Sequence, residues 1–238
     1  MSDPAVSGST ISTIIFDYGG VLSSPLAPAL RTLETRFDFP AHSLDELLFG
    51  GQHIDAADAG GDPIDGAATT DNQLHATWHA LERGDVEFDA FLAELLERAP
   101  DVVGRELSAT DFIVFLAEME IGTHWTLVHF IRELRTAGFA IGLLTNNISA
   151  FGDHWKATIP LEELFDVVVD SSDVGLRKPD PAIYELICER LEVAPDACVF
   201  IDDNRDNVTA AAALGMSTVR MRLSPLDAEH ELRSLLGM

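Results

Sequence analysis

From His124 onward the chain alternates short apolar runs with amphipathic helical stretches, and no other feature restricts the fold as much. Trp125 to Thr136 carries apolar residues at Leu127, Val128, Ile131 and Leu134, a helical period closed by Gly138. Phe139 to Leu144 and Val167 to Val169 read as strands. Pro181 to Leu191 follows as a helix with proline in its first turn. Cys198 to Ile201 is a strand, Arg205 to Leu214 a helix ended by Gly215, Ser217 to Met221 a strand, and Leu226 to Leu236 a terminal helix. Near the other end, Thr13-Ile14-Ile15-Phe16 is a β-branched, apolar strand. This alternation predicts a Rossmann-like α/β core, a doubly wound parallel sheet covered on both faces and linked by right-handed crossovers.

Between Pro25 and Gly122 the pattern changes to helical periods with no convincing strand. Helices are predicted from Leu30 to Phe37, Leu44 to Leu48, Leu74 to Leu81, Phe88 to Arg98 and Asp111 to Glu118. The expected organisation is a core made of 1–24 and 123–238 with an all-helical insertion at 25–122. Within the insertion, 50–72 is rich in Gly, Asp, Ala and Thr and has little apolar surface to bury, which predicts a long mobile loop.

Composition narrows the partners. The chain is 47% apolar, enough for a globular core, yet no uncharged run approaches the length of a membrane span. The start, MSDPAVSGST, lacks a basic head and an apolar middle, so it reads as a loose tail rather than a signal peptide. Cys188 falls on a predicted helix and Cys198 on a predicted strand, a pattern of buried free thiols, and a cytoplasmic location is expected. The formal net charge of −25 repels nucleic acid and anionic membranes. It also opposes a phosphate group at long range, so such a ligand needs local cations. Lysine occurs only at Lys156 and Lys178, which makes Lys178, in a turn before a helix, stand out.

The chemistry-bearing residues cluster at strand ends. The first strand delivers Asp17 into Tyr18-Gly19-Gly20, and a carboxylate at the end of a buried strand needs a cation or hydrogen bonds to compensate it. That edge is where open α/β sheets bind ligands. A second strand ends in Thr145-Asn146-Asn147, and a third in Asp202-Asp203-Asn204. With Lys178 these supply a carboxylate nucleophile, a hydroxyl donor, an ammonium and an acidic metal site, the parts phosphoryl transfer requires.

In order and spacing, these four segments resemble the motifs of the haloacid dehalogenase-like hydrolase superfamily, in the subfamily with an α-helical cap. The runs GLRKPDPAIY (175–184) and FIDDNRDN (200–207) bring the chain nearest to its sugar-phosphate phosphatases, typified by α-D-glucose-1-phosphate phosphatase, and to the phosphatase domain of soluble epoxide hydrolases. The resemblance implies that the insertion at 25–122 is a cap domain covering the site and selecting the substrate. It implies that Asp17 attacks phosphorus to form an aspartyl-phosphate, and that Thr145, Asn146 and Gly20 bind phosphate. Lys178 would hold the charges of nucleophile and phosphate together. Mg²⁺ would be bound by Asp17, the Gly19 carbonyl and Asp203, with Asp202 paired to Lys178 or otherwise behind the ligands and Asn207 acting through a water. The substrate implied is a small phosphorylated metabolite, and the assembly a monomer or homodimer.

Gly19 departs from the pattern. Most family phosphatases place there an aspartate that protonates the leaving oxygen, a role worth roughly 10²–10⁴-fold. The sugar-phosphate subgroup also carries glycine, and an anomeric leaving group needs less acid help. Two other readings stay open. A 2-haloacid dehalogenase would use the same aspartate on carbon without metal, though Asp202-Asp203 and Gly19 depart from its pattern; a weak or inactive phosphate-binding regulatory module would account for Gly19. His75 and His79, four apart, are expected to be ordinary helix histidines rather than metal ligands. His154 and Trp155 are candidates for the pocket mouth.

Overall fold

The computed structural model describes residues 10–50, 72–151, 155–222 and 224–238. Five parallel strands form one sheet: β1 (Thr13–Phe16), β2 (Ala140–Thr145), β3 (Val167–Asp170), β4 (Cys198–Asp202) and β5 (Ser217–Arg220), in the order β3-β2-β1-β4-β5. The chain builds outward from β1 to β2 and β3, then returns to the other side of β1 for β4 and β5. The strand order therefore reverses between β1 and β4, the place where sheets of this kind open a crevice beyond their carboxyl ends.

Period-two alternation divides the sheet side chains between two apolar layers. Ile14, Phe16, Ile141, Leu143, Val199 and Ile201 point to one face and pack with Leu127, Ile131 and Leu134 of α6 (Trp125–Thr136) and Leu232 of α11 (Pro225–Leu236). Ile15, Leu144, Val169 and Phe200 point to the other, against Ile183, Tyr184 and Ile187 of α9 (Pro181–Arg190) and Ala211 of α10 (Arg205–Ala213). Gly142 lets α9 approach β2 closely: a Cβ there would meet Leu191 Cδ1 at 3.0 Å and Ile187 Cδ1 at 3.1 Å.

Five helices lie between β1 and α6: α1 (Leu26–Phe37), α2 (Ser43–Phe49), α3 (Asn72–Glu82), α4 (Phe88–Val103) and α5 (Ala109–Glu118). They form a layer with a separate apolar cluster, including Leu30, Leu47, Phe91, Leu95 and Phe112. The segments that enter and leave this layer run side by side. Ser23 and Thr123 form an antiparallel bridge, Ser24 N donates to Gly122 O at 2.8 Å, and His124 N donates to Leu22 O at 2.8 Å.

Each predicted strand and each of the long predicted helices has its counterpart, with shifted ends. α1 starts four residues before the expected Leu30, because Pro28 falls in its first turn, where the missing N–H has no helical partner to lose. α4 runs past the expected stop at Arg98 and contains Pro100, ending at Gly104 with φ 78°. Two single-turn helices, α7 (Leu161–Leu164) and α8 (Ser171–Val174), were too short to carry a period. The expected mobile loop at 50–72 lies almost wholly outside the described residues.

Candidate active site

β1 ends by handing Asp17 to the sheet edge. Its N–H still donates to Ile201 O of β4 at 2.9 Å, so the residue stays in the sheet ladder while its side chain leaves it. The chain then curls back, with the N–H groups of Leu22 and Ser23 both donating to Tyr18 O at 2.9 Å. Tyr18 N donates to Asp17 Oδ1 at 2.7 Å, fixing the carboxylate.

Lys178 crosses to this carboxylate from the turn between α8 and α9. Its Nζ lies 2.7 Å from Asp17 Oδ1 and 2.7 Å from Asp202 Oδ2, and donates to Leu144 O at 2.9 Å. All three donor positions are thereby aimed, which is how an ammonium only 1% exposed is tolerated. Burial alone would pull its pKa down; Asp17 and Asp202 outweigh that and hold it above the ordinary lysine value. Its backbone is clamped as well: Lys178 N donates to Asn146 Oδ1 at 2.8 Å and Asn146 Nδ2 donates to Lys178 O at 3.0 Å. The peptide bond from Lys178 to Pro179 is cis.

Asp202, the last residue of β4, is fully buried. Besides Lys178, it accepts from Asn204 N at 2.8 Å and from Asn207 Nδ2 at 3.1 Å on each oxygen. Asn204 caps α10, accepting from Asp206 N and Asn207 N, so one helix start orders the whole acidic segment. Asp203 turns the other way, toward Gly20. A Cβ on Gly20, which has φ +69°, would lie 2.0 Å from Asp203 Oδ2. Only glycine fits both the left-handed backbone and the carboxylate lying against it. Arg220, at the end of β5, donates from Nε to Asp203 O at 3.0 Å.

Asp17, Asp202 and Asp203 each offer a carboxylate oxygen, and the three oxygens lie within 4.8 Å of one another. Two carboxylates on one ammonium, with a third close by, leave an excess of negative charge in a largely buried place. Burial is the main reason the Asp17 carboxyl sits well above the usual carboxylate range; Lys178 opposes that, and repulsion from Asp202 and Asp203 adds to it. A divalent cation among these oxygens would relieve the excess, so the donor set fits Mg²⁺, which takes few carboxylates and keeps other positions for water and substrate.

The structure gathers Asp17, Thr145, Asn146, Lys178, Asp202 and Asp203 at one edge, with Gly19 and Gly20 in the loop above β1. A Cβ on Gly19 would meet nothing within 4 Å, so space stands open there. Thr145 ends β2 almost wholly buried, its Oγ1 3.5 Å from Asn146 O. Asn207 grips Asp202 directly, because α10 starts two residues after Asp203 and turns the amide inward. The Asn146 side chain holds the Lys178 backbone and so fixes the turn. Trp155 is buried and packs at a tilt against Tyr18, ring centroids 5.1 Å apart, rather than lining a mouth. His154 and the His75 side chain lie outside what the structure describes.

Sequence reasoning passed over Asn204, Arg220, Glu82 and Arg177. Asn204 carried a signal, since an asparagine just before a helix is a favoured cap. Glu82 and Arg177 carried none, being 95 residues apart in sequence.

Comparison with known proteins places the chain in a family. The family model for hydrolases described as haloacid dehalogenase-like matches residues 11–215. The chain belongs to the haloacid dehalogenase-like hydrolase family. It is 38% identical over 236 residues to phosphatase MT3486 of Mycobacterium tuberculosis (strain CDC 1551 / Oshkosh), covering 96% of this chain and 95% of that protein. It is 27% identical over 232 residues to acyl-CoA dehydrogenase family member 10 of Mus musculus, where the match takes in 97% of this chain but only 20% of the relative. Among solved structures, a haloacid dehalogenase family enzyme of Bacteroides thetaiotaomicron, crystallised as a magnesium complex, matches in fold with a TM-score of 0.64 at 20% identity. That match covers 94% of this chain and 100% of the other.

Proposed function

We propose that the protein is a Mg²⁺-dependent phosphomonoester hydrolase that acts on a small phosphorylated metabolite, a sugar phosphate fitting best, through an aspartyl-phosphate at Asp17. The observation that carries this reading is the buried cluster at the strand-order reversal: Asp17 and Asp202 bridged by one ammonium, with Asp203 close by. A nucleophile, a counter-charge and a cation site converge there within one phosphoryl group's reach.

Asp17 Oδ1 is held by Tyr18 N and Lys178 Nζ, so Oδ2 is the oxygen that attacks phosphorus. The P–O bond to the metabolite breaks as the acyl-phosphate bond forms, and the leaving oxygen takes a proton from solvent water. Water then attacks the same phosphorus, freeing phosphate and restoring the carboxylate. Lys178 balances negative charge at both stages, and Thr145 with the loop at Gly20 orients the phosphoryl oxygens. Asp17, Asp203 and the Gly19 carbonyl would hold Mg²⁺, which when bound screens the phosphate charge. Asp202 stays behind them, fixing Lys178. No side chain at Gly19 donates the leaving-group proton, so an anomeric sugar oxygen, a good leaving group, suits the site better than an ordinary alkoxide.

The helical layer over 25–122 serves in this reading as the cap that closes on the substrate and excludes water. Among the described residues no helix is long and apolar enough to cross a membrane, and both cysteines are free and buried, features that suit a cytoplasmic metabolite enzyme. A screen of phosphorylated metabolites with and without Mg²⁺, repeated with Asp17→Asn, tests the reading. Phosphate release that needs both the metal and Asp17 is the expected result. Metal-independent halide release from 2-haloacids would replace this reading with a dehalogenase.

A further inference from the structure

Two buried polar contacts fasten the end of α3 to the sheet edge. Ser171 Oγ, at the start of α8, donates to Glu82 O at 2.6 Å and accepts from Asn147 N at 3.0 Å. Arg177 Nε donates to Glu82 Oε2 at 2.7 Å, with both side chains largely covered. Glu82 is the last residue of α3, and the indole of Trp78 in the same helix also hydrogen-bonds its carboxylate. Trp78 is packed edge-on against Phe49 and Phe91 of the helical layer. Arg177 is bonded directly to Lys178 in the chain, and Lys178 bridges Asp17 and Asp202. One continuous set of contacts thus runs from the aromatic centre of the helical layer to the ammonium of the site.

A buried ion pair of this kind is a poor device for stability alone, since its desolvation offsets much of its attraction. Its two charges do, however, fix a geometry: a carboxylate fastened at both ends dictates where the guanidinium lies, and hence how the turn at 177–178 is set. We propose that Glu82 and Arg177 are positioning residues, tying the turn that carries Lys178 to α3, so that the ammonium meets Asp17 and Asp202 only while the helical layer is seated. The role deepens the phosphatase reading and rests on it for its consequence, but its geometry can be measured without turnover.

The scarcity of lysine provides the measurement. Mild amine acylation followed by peptide mass spectrometry reports Lys178 against Lys156 as an internal reference. In Glu82→Gln and in Arg177→Gln, the Lys178/Lys156 labelling ratio is expected to rise several-fold while the thermal transition stays cooperative. Phe112→Leu, which thins the helical core away from the ion pair, is expected to leave the ratio unchanged. If Glu82→Gln does not fold, Glu82→Asp, with its carboxylate drawn back by one methylene, is expected to show the same rise. On p-nitrophenyl phosphate with Mg²⁺, the folded variants should lose about 10-fold to 100-fold in kcat, the scale expected of a misplaced catalytic group, with KM changed far less. An unchanged ratio in folded variants overturns the proposal. So does an equal rise in Phe112→Leu, or a raised ratio with normal kcat. A wild-type protein that hydrolyses no phosphate ester would defeat the phosphatase reading alone, leaving the labelling ratio to decide the positioning role.

Discussion

The sheet edge and the centre of the helical layer are held together by different means, although one side of the layer also holds a polar cluster of Arg31 with the buried Glu34 and Asp45. At the edge, polar groups interlock: Lys178 Nζ makes three contacts of 2.9 Å or less, and Asp202 receives Lys178, Asn204 and Asn207. In the layer, aromatic rings meet one another. Phe37, Phe39 and Phe115 form a mutual cluster, Phe88 meets Phe91 and Phe112, and Trp78 meets Phe49 and Phe91. Apolar contact is non-directional and tolerates small displacements, whereas a shared proton or a bridged charge does not. Under the proposed function, a layer that covers varied substrates suits apolar contact, and an edge that places a nucleophile suits interlocked polar groups.

The sharpest way to break this contrast is at Asp17. Asp17→Asn is expected to lower phosphate release by at least about 10³-fold, as loss of a covalent nucleophile does, while thermal unfolding in metal-free buffer shifts upward. The second part follows because burial and two neighbouring carboxylates disfavour the ionised group. A variant that kept its activity would remove the nucleophile from the proposed chemistry.

Phe91→Ala probes the other region. It removes a fully buried ring from the layer's centre, at an expected cost of about 3–5 kcal/mol. If the layer is a separate cluster, calorimetry should resolve an early transition while the sheet still melts near its original temperature. One merged transition would show that the two regions stand or fall together.

Gly20→Ala should act on Asp203 without touching the sheet. The new methyl displaces the carboxylate, and Mg²⁺ affinity measured by isothermal titration should drop by about 10–100-fold, the range seen when groups supporting a metal ligand are altered. Gly19→Asp goes in the opposite direction, since its side chain enters open space. An added carboxyl able to protonate the leaving oxygen should raise turnover on unactivated phosphate esters by about 10-fold, the low end of acid–base gains with the group unoptimised. Unchanged turnover there would mean that the leaving oxygen already receives its proton from elsewhere.

The smallest effect concerns pH. Burial raises the Glu82 carboxyl above its ordinary value, while Arg177, Trp78 and more distantly Lys178 oppose the shift. A carboxyl with a raised folded pKa binds its proton more tightly in the folded state. Its contribution to stability is therefore complete below the unfolded carboxylate pKa and is lost as pH rises through the folded one. The stability difference between Glu82→Gln and wild type should move in favour of the variant as pH climbs from about 4 toward neutrality. A difference that is flat, or that moves the other way, would mean that Arg177 fully compensates the burial.

The sheet was legible in the sequence because its central strands are short apolar runs, and because a parallel sheet buried on both faces leaves few alternatives for such runs. The site was legible for the same reason: its groups sit where those runs end. Asp17, Thr145 and Asp202 needed no knowledge of the tertiary structure to be placed at one edge. What escaped was set by contacts across the chain. The helix expected to end at Arg98 runs on through Pro100, because Ala99 and Val103 on the same helix are buried in the layer and that packing carries α4 onward. Nothing in FIDDNRDN reveals that the start of α10 turns the Asn207 amide onto Asp202. The pairing of Glu82 with Arg177 depends on where α3 lands, which no local pattern specifies.

The paired segments at Ser23 and Thr123 have a consequence for how such a molecule can change over time. Exit and return are already stitched together, so a short turn from Ser24 to Gly122 would close the chain with β1 and α6 left in register. Whatever is spliced in between inherits ready-made anchor points at Ser23–Thr123 and Ser24–Gly122.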